Sequence, residues 1–130
     1  MEYKDLMPNL MVKDVNKTVD FYKNVLGFNV LQTVPENGNY IFAIVNANSV
    51  LISFQEEKSI KDEYPQLSSF PQGGGLTLYI HVTNVNELFE HVKGKATIAK
   101  ELHKTFYGST DFAVQDCNGY ILTFSQQDKE

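Results

Sequence analysis

The sequence predicts an α+β fold built from two βαβββ modules, and three observations carry that prediction. Leu10-Met11-Val12-Lys13-Asp14-Val15-Asn16 returns as Ile80-His81-Val82-Thr83-Asn84-Val85-Asn86, an offset of 70 residues. The same offset carries Gly38–Ile44 onto Gly108–Val114 and Leu51–Phe54 onto Ile121–Phe124. Two blocks kept in register over that distance mark a duplicated folding unit. Within each copy the apolar residues first alternate in twos, then recur at helical spacing, then alternate in twos again.

Each element has a local reason. Leu10 and Val12 alternate with Asn9, Met11 and Lys13, the pattern of a half-buried strand. Asp14 then caps a helix whose stripe is Val15, Val19, Tyr22, Val25 and Leu26, and Gly27 ends it in a left-handed conformation. Phe28 to Val34 is rich in strand formers, and Pro35-Glu36-Asn37-Gly38-Asn39 is a turn. Tyr40 to Val45 and Val50 to Phe54 follow as two strands around Asn46-Ala47-Asn48-Ser49.

The second copy repeats the order. Leu76 to Val82 is a strand, and Asn84 caps a helix with Val85, Leu88, Phe89 and Val92 inward, Glu87 returning the cap and Gly94 ending it. Ala96 to Leu102 is an edge strand, and Thr110 to Gln115 and Tyr120 to Phe124 flank the turn Asp116-Cys117-Asn118-Gly119. The modules run from 4 to 55 and from 74 to 127, joined by a linker over 56–73 that holds Pro65, Pro71 and a short helical turn. With 130 residues in all, the two modules are expected to form one folded unit, because about 50 residues alone bury too little apolar surface.

Bulk properties narrow the function. The net charge of −5 argues against nucleic acid, whose binding rests on Lys and Arg neutralising phosphates. No apolar run approaches the 18 or so residues of a membrane span, so the expectation is a soluble, cytoplasmic protein. The single cysteine, Cys117, has no internal disulfide partner. Gly73-Gly74-Gly75 lacks the strand before it and the Lys-Ser/Thr after it that a phosphate loop needs. The charged run from Glu56 to Glu63 reads as a solvated face.

Asp14-Val15 followed by Phe21-Tyr22 and Leu26-Gly27-Phe28, with Tyr107-Gly108, Phe112 and Asp116-x-x-Gly119-Tyr120 near the end, resembles the vicinal oxygen chelate superfamily. That group includes glyoxalase I, extradiol dioxygenases, and fosfomycin- and bleomycin-resistance proteins. The resemblance implies curved four-stranded sheets with helices outside, a ligand on the concave side, and modules paired within a chain or across a homodimer. It also implies metal ligands at four places, which here hold Met7, Ser53, Thr77 and Thr123. None is a good ligand for Zn²⁺, Fe²⁺ or Mn²⁺. Slipping the register forward by two gives Asn9, Gln55, Tyr79 and Ser125, and backward by two gives Asp5, Leu51, Gly75 and Ile121. No register holds more than one candidate ligand.

The expectation is therefore a protein closest to the metal-free, bleomycin-resistance-like members. It binds a small, partly apolar or aromatic molecule by sequestration, with no cofactor and no catalytic residue, in a groove shared by the modules. Two other readings stay open: a metal-dependent lyase or dioxygenase of the same superfamily, and a non-catalytic structural or regulatory module.

Strand alternation sorts the sheet residues. Leu10, Val12, Phe42, Ile44, Val50, Ile52 and Phe54, with Leu78, Ile80, Val82, Phe112, Val114, Leu122 and Phe124, are expected to face the helices. Met7, Asn9, Met11, Ile41, Ala43, Leu51, Ser53, Thr77, Tyr79, His81, Asp111, Ala113, Ile121 and Thr123 are left for the concave face. The ligand-binding set drawn from these is Met7, Asn9, Ser53, Tyr79, His81, Asp111 and Thr123, with Tyr107 at the rim. His81 with Asp111 in reach is the one arrangement suited to acid–base work. His91 and His103 read as scattered surface positions, and Phe70, Phe106 and Tyr107 as aromatics able to stack on a planar ligand.

Overall fold

The computed structural model describes residues 1–129. Its first strand, β1 (Asn9–Val12), ends at the signal read from sequence: the Asp14 carboxylate accepts the Lys17 N–H at 3.0 Å and starts α1 (Val15–Asn24). Gly27, at φ +78°, turns the chain into β2 (Asn29–Val34). Then come β3 (Phe42–Ala47) and β4 (Val50–Glu56), joined by a tight turn in which Asn48 takes φ +52°. The order in the sheet is β1-β4-β3-β2, with β1 parallel to β4 and the other neighbours antiparallel.

The connecting stretch is more structured than a linker. Glu56 caps α2 (Glu57–Glu63) by accepting the Lys58 and Ser59 N–H groups, and a 3-10 turn over Pro65–Leu67 follows. Ile60 from this helix is buried. The chain divides into two compact units, one from Met1 to Gln72 and one from Gly73 onward.

The second unit repeats the plan with β5 (Thr77–His81), α3 (Val85–Val92), β6 (Thr97–Lys104), β7 (Ser109–Gln115) and β8 (Ile121–Gln127), in the order β5-β8-β7-β6. Its helix start departs from expectation. Asn84 makes no side-chain cap; the Gln126 amide oxygen accepts the Val85 N–H at 2.9 Å instead. The last strand thus caps the helix from across the fold.

In the first unit α1 covers one face of the sheet. Tyr22, fully buried, packs against Phe54 at 4.8 Å and Phe28 at 5.6 Å between ring centroids. Leu10, Val12, Ala43, Val45 and Ile52 complete that layer. In the second unit Phe112 plays the central part, 5.2 Å from Phe89 of α3 and 5.3 Å from Phe124.

The registers correct one part of the sequence reading. Ala43 stands opposite Phe54, and Val45 opposite Ile52, so these residues of β3 meet the helix; Phe42 and Ile44 point the other way, beside Gln55 and Ser53. Phe42 and Ile44 are accordingly half-buried while Ala43 and Val45 are fully buried, and Ile41 lies outside the strand. The cause is one residue of loop. From Asn46↔Leu51 to Gln115↔Ile121 the intervening chain grows from 47–50 to 116–120, so the offset of 70 holds on β1/β5 and β4/β8 but falls to 69 on β3/β7. A shift of one in a strand exchanges its two faces. The edge strands drift further: Gln32, paired with Ile44, corresponds to Lys100, paired with Ala113, 68 residues apart.

This assignment separates two phenylalanines. Phe54→Ala should cost about 3–5 kcal/mol by chemical denaturation, as a large side chain deleted from a closed core, and Phe42→Ala distinctly less. The cap assignment separates two others: Gln126→Ala should cost about 0.5–2 kcal/mol and Asn84→Ala close to nothing.

Candidate functional site

Each sheet has a second face, turned away from its helix, and this face carries the chemistry. In the first unit β1 and β4 bring Asn9 beside Ser53 and Gln55. Ser53 Oγ donates to Asn9 Oδ1 at 2.9 Å, Asn9 Nδ2 donates to Gln55 Oε1 at 2.9 Å, and Gln55 Nε2 donates to Ser59 Oγ and Glu63 Oε1, both at 3.0 Å. The relay ties the start of the sheet to α2. Met7 precedes β1 and takes no part in it.

In the second unit the corresponding positions hold different chemistry around a carboxylate. Asp111 is 2% exposed. Ser109 Oγ donates to its Oδ1 at 2.8 Å, and the Tyr107 hydroxyl lies 3.3 Å from its Oδ2. The Tyr79 hydroxyl sits 3.1 Å from Oδ2 and 2.8 Å from Ser125 Oγ. Among the described residues no cation pairs with Asp111. Burial pushes its carboxyl up, but the hydroxyls of Ser125, Ser109, Tyr79 and Tyr107 outweigh burial and hold it below the ordinary carboxylate range. The adjoining Tyr79 hydroxyl, burial and the Asp111 charge push the Tyr107 phenol up to about 12.

The rings remain accessible while their hydroxyls are anchored: Tyr79 is 46% and Tyr107 is 55% exposed. His81 meets the Tyr79 ring edge-on at 5.3 Å. It does not form the expected pair with Asp111, whose oxygens are taken by hydroxyl groups. Thr123, half-buried, lies in register between Tyr79 and Ala113.

Of the residues expected at the site, the structure therefore joins Asn9 to Ser53, and Tyr79 to Asp111 and Tyr107, with His81 and Thr123 alongside. Ser109 was missed and Gln55 and Ser125 were given no role. The last two had a signal: they appear when the ligand register slips forward by two, and their partners there, Asn9 and Tyr79, are the residues they bond.

The donors do not fit a transition metal. Ser53 and Thr123 offer neutral hydroxyls, Asn9 an amide and Tyr79 a phenol, and Asp111 and His81 add one carboxylate and one imidazole, short of the three such protein ligands a transition-metal site gathers. Among the described residues, no three His, Cys, Asp or Glu side chains gather as a metal would require. No helix of the described residues is long and apolar enough to cross a membrane.

The family model of the glyoxalase/bleomycin resistance protein/dioxygenase superfamily matches residues 6–124. The chain belongs to that superfamily. It is 28% identical over 132 residues to a bleomycin resistance protein of Geobacillus stearothermophilus, covering 95% of this chain and 96% of that one. Among solved structures, an antibiotic-binding protein of Streptomyces sp. CB03234 superposes with a TM-score of 0.78 at 16% identity, covering 98% of this chain and 99% of that chain. The bleomycin-binding protein of Streptomyces verticillus, solved with copper(II)-bleomycin, gives 0.66 at 20% identity over 100% and 99% of the two chains. At these identities the structural matches establish the fold.

The Asp111 environment has a pH signature. Its folded-state value lies below the unfolded one, so it contributes stability that is present above the unfolded value and lost as pH falls through the folded value. Denaturation of wild type and Asp111→Asn should show their difference moving against the wild type below about pH 4, with no such change nearer neutrality. A difference independent of pH would contradict the assignment.

Proposed function

We propose that this protein binds a small, partly apolar, aromatic molecule and acts by sequestering it, without metal or cofactor, as a bleomycin-resistance-like member of its superfamily. The observation that carries the reading is the pair of half-exposed rings, Tyr79 and Tyr107, fixed by hydroxyl contacts to a buried carboxylate. Rings held in place beforehand lose little freedom when a planar ligand stacks on them, so more of the stacking energy appears as affinity. His81, Asp111 and Thr123 add polar groups that orient the ligand, and Asn9 and Ser53 offer polar groups of the same kind on the first unit's own sheet face. Met7 adds an apolar side chain. The names of the relatives, which include a bleomycin resistance protein and an antibiotic-binding protein, favour an antibiotic as the ligand class.

The metal-dependent alternative is disfavoured by the identities of Met7, Ser53, Thr77 and Thr123. Elemental analysis of protein purified without an affinity tag should find far less than one equivalent of Zn, Fe, Mn or Ni. Stoichiometric metal would overturn the binding-protein reading.

Calorimetric titration with metal-free bleomycin, and native mass spectrometry of the freshly purified protein for a carried molecule, test the proposal directly. Tyr79→Ala should weaken binding about 2- to 10-fold, the equivalent of one lost stacking contact. Binding unchanged in Tyr79→Ala would place the ligand elsewhere.

A further inference from the structure

Among the described residues, Asp111 is an anion that makes no ion pair. A buried carboxylate ordinarily meets a lysine, an arginine or a metal, because burying an unpaired charge is costly. Here the neighbours are neutral hydroxyls. They hold the carboxylate in its charged form, but hydrogen bonds from hydroxyls leave its net charge of −1 in place.

The basic residues of the adjoining strand make no ion pair with Asp111. Lys104 is paired with Asp128 at 3.0 Å. His103, opposite Asp111 in the β6–β7 register, has Nδ1 2.8 Å from the Glu101 carbonyl. A carbonyl only accepts, so that nitrogen is the donor and its hydrogen is spent on the Glu101 carbonyl. Lys100 stands opposite Ala113, a different cross-strand pair, and forms no ion pair with Asp111.

The aromatic surface beside this charge suits one chemical class. A phenol donating to a carboxylate has electron density drawn toward its ring, which strengthens the attraction of the ring face for a cation. Tyr79 and Tyr107 both lie in hydrogen-bond reach of Asp111. Phe106, wholly exposed, extends the surface edge-on to Tyr107 at 5.0 Å, and His81 borders Tyr79.

We infer that the sheet face around Tyr79, Tyr107 and Asp111 is a subsite for an organic cation, an amine or amidinium carried on an aromatic or apolar frame. The inference rests on the ligand-binding reading above and narrows its ligand class: the rings take the frame and the Asp111 field takes the charge.

The test uses three probes of similar size on the full chain: benzylammonium, benzyl alcohol and benzoate, followed by ¹H–¹⁵N NMR titration at low salt. Benzylammonium should bind roughly fivefold or more tightly than benzyl alcohol, with benzoate weakest, and shift the resonances of Tyr79, His81 and Tyr107. Added salt should reduce the preference. Asp111→Asn, which keeps shape and removes charge, should bind the ammonium and the alcohol alike. The wild-type series decides the matter even where that variant fails to fold. Equal affinity for ammonium and alcohol at this face would overturn the cation inference while leaving the ligand-binding reading intact. Probes that perturb none of these three residues would overturn both.

Discussion

Each unit depends on one constraint: its first strand pairs in parallel with its last. A parallel pair cannot be joined by a tight turn, so the chain must cross over, and here the crossover begins with a helix. That helix lies across one side of the sheet and creates a dry layer, with Tyr22 against Phe54 in one unit and Phe89 against Phe112 in the other. The opposite side mixes buried polar groups, Ser53, Asp111 and Ser125, with the half-exposed rings of Tyr79 and Tyr107.

The same pairing sets which residues meet on the free side. Asn9 is in register with Ser53, and Tyr79 with Thr123, so the first strand of each unit delivers one polar or aromatic group beside the last strand. Duplication kept this geometry and changed its chemistry. In the first unit an amide relay runs from Ser53 through Asn9 and Gln55 to α2. In the second, the position corresponding to Phe42 carries Asp111, and hydroxyls from three strands and the β6–β7 turn converge on it. Hydrogen bonds to a charged group contribute about 1.5–3 kcal/mol each, so several together outweigh a desolvation penalty of several kcal/mol. This balance keeps the buried Asp111 carboxylate charged beneath the half-exposed rings of Tyr79 and Tyr107.

Much of this was visible in the chain. The near-repeat at 70 residues, the Asp14 cap, Gly27 and the alternating strands identify two βαβββ modules, because periodicity and capping act over a few neighbouring residues. The placement of Tyr79 and Asp111 on one face was also visible, since strand alternation sorts residues once the register is right, although the partner expected for Asp111 there was His81. Strand β3 shows the limit. One additional residue in the β7–β8 loop moves the offset from 70 to 69 and exchanges Phe42 with Ala43 between faces, and a repeat that is strong at both ends conceals that step.

The remaining facts belong to tertiary structure. The Val85 N–H finds its cap in Gln126, 41 residues away, because the end of β8 passes the start of α3. Ser125 reaches Asp111 from the neighbouring strand β8, a meeting set by the β7–β8 register, whereas Ser109, two residues before Asp111 on β7, shares its face by strand alternation. The sequence by itself determined the elements, their order and the residue types on each strand, since these follow from local sterics and period. Only the folded sheet decided which of those residues share a hydrogen bond, because contact across strands depends on register, and register is set by loop lengths and pairings distant in the chain.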